Sequence, residues 1–203
     1  MIRLFSTPGD SSADSIRIAL ALKGLSYDIH PFEELENATD VVSSPALEEM
    51  APSILLDEKR MLTQALPIIE YLDESWHEPT LLPGMARERA QIRSLAYLIM
   101  SETNTRVAQR TLQALPSGVD TQAWQQHWYE SGLAVLESLM MNNPTVGRFC
   151  YGDQVTLADV CLIPVSWAAR RAGLDLSAFP TIQRICGHCI QLPEIAHIAA
   201  QAD

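Results

Sequence analysis

Apolar residues recur with two different periods along this chain, and the change from one to the other falls within the proline- and glycine-bearing stretch "HEPTLLPG". Before it, short runs dominate. "IRLF" is a brief apolar run ended by the turn-rich "STPGDSS", after which Ile16, Ile18, Ala19, Leu20 and Leu22 mark a helix closed by Lys23 and Gly24. "LSYDIH" alternates as a strand does, "PSILL" is a second apolar run behind a proline, and "RML" has the length of a short edge strand. Helical spacing returns in "TQALPIIEYLDESW".

Beyond the linker, strand signals vanish. The stretch from "MARERAQIRSLAYLIM" through "SETNTRVAQRTLQAL" reads as one long amphipathic helix, and "TQAWQQHWYESGLAVLESLMM" as a second. A third opens at "TLADVCLIPVSWAARRAG", where Thr156 followed three residues later by Asp159 predicts a capping box, with Pro164 expected to bend the helix. The pattern predicts an α/β plus all-α chain: a thioredoxin-like N-terminal domain over 1–77 and an all-helical C-terminal domain over 84–203.

Length and charge narrow the classes of function. The chain has 203 residues, 47% of them hydrophobic, and a formal net charge of -11. No basic run interrupts that acidic balance, which argues against a nucleic-acid partner. "MIRLFS" lacks the features of a signal peptide and no apolar run is long enough to span a bilayer, so a cytoplasmic protein with no membrane partner is expected.

The four cysteines, Cys150, Cys161, Cys186 and Cys189, fall in the last quarter of the chain, too unevenly placed for a disulfide framework. "CGHC" has the spacing of a dithiol redox centre, yet Pro180 and the apolar spacing of Ile182, Ile185 and Cys189 set it well inside a helix. No free N–H groups stabilise a thiolate there, and packing is the expected role. A metal site would need further ligands that His188 and the distant His197 do not complete, so none is expected.

"IRIALALKGLSYD", "LPIIEYLDES", "LLP", "NTRV", "WQQHWYESGLAVLESL", "YGDQVTLADVCLIP" and "GLDLSAFPTI" occur in one order across almost the whole chain. Together they resemble the zeta class of the cytosolic glutathione transferases, the maleylacetoacetate and maleylpyruvate isomerases. That resemblance implies the glutathione transferase fold, glutathione as cofactor and a homodimer. It also implies a reaction in which a thiolate adds to a conjugated double bond of a small unsaturated acid, the adduct rotates, and elimination returns the trans product.

The family's thiol-handling loop typically reads Arg-Ser-Ser-Cys, and ungapped counting from Arg17 sets Gly9, Asp10, Ser11 and Ser12 at those places. Ser11, Ser12 and Asp10 are therefore the catalytic candidates by resemblance. A hydroxyl at a first helical turn can lower a thiol's pKa, whereas a carboxylate beside a thiolate raises it. The same three residues are also common helix caps. For glutathione itself the resemblance points to Ala51 and Pro52, as the family's cis-proline turn, and to Gln64 and Ala65, where the family has a Gln/Glu-Ser pair. Asn104, Arg106 and Arg171 match places where zeta enzymes face a dicarboxylate-like substrate, and the planar fork of arginine suits a carboxylate. Trp124, Trp128 and Leu133 read as core residues.

Three functions remain open from the sequence. They are a glutathione-dependent isomerase or transferase, a diverged enzyme of the family acting without glutathione, and a non-enzymatic binding protein similar to the stringent starvation proteins, whose opening loops resemble "LFSTPGD".

Overall fold

The computed structural model describes residues 1–7, 9–35, 53–58 and 60–202, in two compact units, Met1–Pro79 and Thr80–Asp203. The first unit contains β1 (Ile2–Ser6), α1 (Ser11–Leu22), β2 (Tyr27–His30), a 3-10 turn (Phe32–Glu34), β3 (Ser53–Asp57), β4 (Arg60–Thr63) and α2 (Ala65–Ser75). Its sheet has the order β2-β1-β3-β4. β1 runs parallel to β2, with Ile2 opposite Tyr27, and antiparallel to β3, with Leu4 opposite Leu55. β3 and β4 pair antiparallel through Leu55 and Leu62. Parallel pairing of β1 with β2 requires a crossover, and α1 supplies it. Strand β1 has a neighbour on each side and buries every residue but Arg3, which explains its unbroken apolar run. This is the thioredoxin-like arrangement that the element order predicts. Phe5, Phe32, Leu35, Ile54 and Leu56 form a core cluster in this unit.

The end of α1 is held by an unusual contact. Lys23 is the C-cap, and Gly24 follows at φ +65°, a left-handed conformation that glycine adopts without a Cβ clash. The Lys23 side chain has no exposed surface. Its ammonium donates to Oδ1 of Asp73 at 2.7 Å and to the carbonyls of Trp76 and Pro79, each at 2.6 Å. An ammonium has three donors, and all are used.

The second unit is helical: α3 (Ala86–Tyr97), a π-helical segment (Leu98–Asn104), α4 (Thr105–Val107), α5 (Gln109–Gln113), α6 (Thr121–Met140), α7 (Leu157–Arg171), a 3-10 turn (Leu176–Ala178), α8 (Pro180–Cys189) and α9 (Pro193–Ala202). The long helix expected from the sequence is thus broken into pieces. At Gly132 on α6 a Cβ would lie 1.9 Å from Oγ1 of Thr103, so the Thr103 side chain of the π-helical segment fills space that only a glycine leaves open. Ala108 then leaves helical geometry at ψ 148°.

Helix α7 is buried along most of its length, including Pro164. Its capping box is present: Asp159 accepts from the N–H of Thr156 at 2.8 Å, from the Thr156 hydroxyl at 2.7 Å and from the N–H of Cys150 at 2.8 Å. Glu137 of α6 accepts from the N–H groups of Thr181 at 2.9 Å and Ile182 at 3.0 Å, capping α8 from a neighbouring helix. No helix among the described residues is long and apolar enough to cross a membrane.

Candidate functional site

At the start of α1, the structure assigns capping to the residue aligned with the family's first loop serine. Asp10 is the N-cap; Oδ1 accepts from the N–H of Ser12 at 3.1 Å and Oδ2 from the N–H of Ala13 at 3.3 Å. Oδ2 also accepts from the hydroxyl of Ser53, 2.9 Å away at the first position of β3. Ser11 and Ser12 are both buried, and the Ser11 carbonyl accepts from the Ser15 hydroxyl at 2.9 Å. Burial pushes the Asp10 carboxyl above the ordinary carboxylate value, against the opposing pull of its hydrogen bonds to Ser12, Ser53 and Ala13. The group therefore takes up a proton more readily than a surface aspartate.

Gln64 and Ala65 stand at the start of α2. Gln64 has φ +71° and ψ 131°, a strained backbone for a residue with a side chain, at the N-cap position of α2. No acidic residue occupies its first turn. The N-terminus of α2 thus keeps the positive end of its dipole, a feature suited to a carboxylate ligand. Ala65 is buried and contributes no hydroxyl. Ala51 and Pro52 lie outside the described residues.

In the second unit, Asn104 closes the π-helical segment, Arg106 lies in α4 and Arg171 ends α7. Both arginines are exposed. Arg106 is held on several sides: Nε donates to the Glu102 carbonyl at 3.0 Å, Nη2 to the Glu102 carboxylate at 3.1 Å, and the guanidinium carbon stands 4.3 Å from the centroid of the Trp128 ring. Trp124 donates from Nε1 to the Arg106 carbonyl at 2.9 Å. The neighbour of Arg171 is fixed as well, since Gln126 donates to the Ala172 carbonyl at 2.7 Å. Leu133 is core, as expected, whereas Trp124 and Trp128 are only partly buried and lie against the arginine segment. Ser53 and Trp128 are contacts that no motif announces, because each meets its partner only through the fold, whereas Glu102 lies four residues before Arg106 at ordinary helical spacing.

The comparisons with known proteins agree with this architecture. No protein-family model matches the chain. Maleylacetoacetate isomerase of Emericella nidulans is 35% identical over 200 residues, covering 91% of this chain and 85% of the relative. The chain belongs to the maleylacetoacetate and maleylpyruvate isomerase family, the zeta-class glutathione transferases. Among solved structures, a holo maleylpyruvate isomerase described as a bacterial zeta-class glutathione S-transferase superposes with a TM-score of 0.85 at 29% identity, covering 99% of this chain and 98% of that one. Maleylacetoacetate isomerase of Methylobacterium extorquens AM1, solved with bound malonate and GSH, superposes with a TM-score of 0.86 at 30% identity, covering 99% of this chain and 97% of that one.

Within this zeta-class chain the "CGHC" stretch has no redox geometry. Cys186 and Cys189 lie in the last turns of α8, are buried, and remain free thiols. Burial pushes the Cys186 thiol up to about 11 and raises Cys189 further, so neither forms a thiolate at neutral pH.

Proposed function

We propose that the protein is a glutathione-dependent cis-trans isomerase of a small unsaturated acid carrying at least one carboxylate. The observation that carries this reading is the N-terminus of α2: a strained Gln64 before a helix whose first turn holds no acidic residue, in a chain of the zeta-class family. There Gln64 and the first N–H groups of α2 would hold a carboxylate of glutathione. Bound glutathione would supply the nucleophilic sulfur whose reversible addition lets the double bond of the acid rotate.

The chain's own groups then have separate tasks. Ser11 and Ser12, at the first turn of α1, would donate to the sulfur and favour its ionised form. Asp10 fixes that turn through its bonds to the N–H groups of Ser12 and Ala13. Arg106 and Arg171 would hold the acid, and an arginine near its carbonyl would stabilise the oxygen that gains negative charge as the double bond is consumed. Asn104 would add a neutral hydrogen bond. The same reading includes a homodimer in the cytoplasm, with no nucleic-acid or membrane partner.

Calorimetric titration of glutathione at neutral pH tests the cofactor half. Heat with a dissociation constant between micromolar and low millimolar supports the reading. A second reading, a family enzyme that acts without glutathione, is favoured by Asp10 filling the donors at the start of α1 and by the missing hydroxyl at Ala65. Absence of heat at millimolar glutathione would replace the first reading with the second.

A further inference from the structure

One face of α6 carries Trp124, Trp128 and Gly132 at successive four-residue steps, and each of the three meets the stretch that leads to Arg106. Trp124 binds the Arg106 carbonyl through its indole N–H at 2.9 Å. Trp128 lies under the guanidinium, 4.3 Å from ring centroid to guanidinium carbon. Gly132 admits Thr103 to a distance that a Cβ would close to 1.9 Å. The arginine would otherwise be mobile, because it is exposed and its ion pair with Glu102 is of the surface kind that contributes little on its own.

We propose that this α6 face is a positioning seat for Arg106, with Trp128 as its principal element, and that it sets the affinity of the protein for the carboxylate of its acid substrate. The inference rests on the reading of Arg106 as an acid-binding group. A carboxylate gains most from a guanidinium whose plane is fixed before it arrives, since two parallel hydrogen bonds then form without ordering a flexible side chain. Glu102 takes Nε through its carbonyl and Nη2 through its carboxylate, on one edge of the fork. The Trp128 ring covers one face, and the Trp124 bond fixes the backbone from which the side chain springs.

Trp128 also makes a clean test possible. Among the described residues its buried Nε1 has no hydrogen-bond partner, so replacement by phenylalanine keeps an aromatic face and breaks no hydrogen bond. Its ring is further flanked by Trp124 at 5.7 Å and His127 at 5.0 Å between centroids, contacts made by ring surface alone.

The experiment is steady-state kinetics with glutathione and maleylpyruvate on the full chain. Trp128→Leu should raise the KM for the acid about tenfold while the KM for glutathione stays at its wild-type value, and Trp128→Phe should raise the acid KM by less than about threefold. In an Arg106→Ala background, Trp128→Leu should have no further effect on the acid KM. Trp124→Phe, which removes the bond to the Arg106 carbonyl while keeping an aromatic ring beside Trp128, gives a second variant with the same expected selectivity if the leucine variant fails to fold. Equal acid KM values for the phenylalanine and leucine variants, or a loss confined to kcat, would overturn the seat. If Arg106→Ala raises the acid KM and Trp128→Leu and Trp124→Phe leave it unaltered, the seat fails and the role of Arg106 stands. If Arg106→Ala leaves the acid KM unaltered, or the wild-type protein does not turn over, the underlying reading fails and takes the seat with it.

Discussion

The hydroxyl of Ser53 donates to Oδ2 of Asp10 across 2.9 Å, tying the first residue of β3 to the cap of α1. Asp10 is thereby a junction between sheet and helix, and its protonation state bears on both stability and the neighbouring chemistry. Its folded-state pKa lies above the ordinary 3.8 because desolvation outweighs the hydrogen bonds. A carboxyl raised in the folded state binds its proton more tightly there than in the unfolded chain. Its contribution to stability is thus fully present below pH 3.8 and is lost as pH rises through the folded value.

Asp10→Asn removes that titration while retaining one capping oxygen. The Tm of wild type minus that of the variant should fall as pH rises from below 3.8 into the neutral range. Thermal unfolding of both proteins across a pH series checks this. A difference that is flat, or that grows with pH, contradicts the raised carboxyl.

Ala65 invites the reverse experiment, restoring a group that the family resemblance leads one to expect. A hydroxyl donating to a charged carboxylate contributes about 1.5–3 kcal/mol, so Ala65→Ser should tighten glutathione binding roughly ten- to a hundredfold. Calorimetric titration measures it. Unaltered affinity would place the glutathione carboxylate somewhere other than the start of α2.

The thiols of the last quarter should be silent. All four cysteines are buried, and burial raises each thiol, with Cys186 pushed up to about 11. The native protein should not react with an aromatic disulfide reagent at neutral pH, and the denatured protein should release four equivalents. Cys186→Ala should leave turnover within about twofold of wild type. A hundredfold loss in a folded variant would restore a chemical role to "CGHC".

Lys23 offers a stability test confined to the first unit. Lys23→Met removes the buried ammonium that donates to the Asp73 carboxylate and to the carbonyls of Trp76 and Pro79. Removal of one partner from such a pair costs about 3–5 kcal/mol. Urea denaturation should register it. A loss below about 1 kcal/mol would mean that water replaces the ammonium at little cost.

Much of this architecture is legible in the sequence because its signals are local. β1 and β3 follow from short apolar runs, β2 from the alternation of "LSYDIH" and β4 from the short "RML", the capping box from Thr156 and Asp159, and the start of α8 from Pro180. The break between α3 and α5 is not legible. Ile99, Met100, Thr103 and Val107 stay buried through the π-helical register, so the apolar pattern runs on past the point where the helix changes. Lys23 reads from sequence as an ordinary basic residue at a helix end, and only the fold reveals its three buried acceptors. The candidate site divides in the same way. Gln64, Arg106 and Arg171 are candidates by resemblance, whereas Ser53 beside Asp10 and Trp128 beside Arg106 are brought there from other elements of the fold.

The measurement that bears most directly on this account is turnover of maleylpyruvate by the purified protein, with the product separated and identified, in the presence and absence of glutathione. A glutathione-dependent isomerase should convert it to the trans isomer only with glutathione present and regenerate the glutathione unconsumed, with the acid KM raised in Arg106→Lys by about tenfold. Absence of conversion by a folded protein, or conversion at the same rate without glutathione, would contradict it.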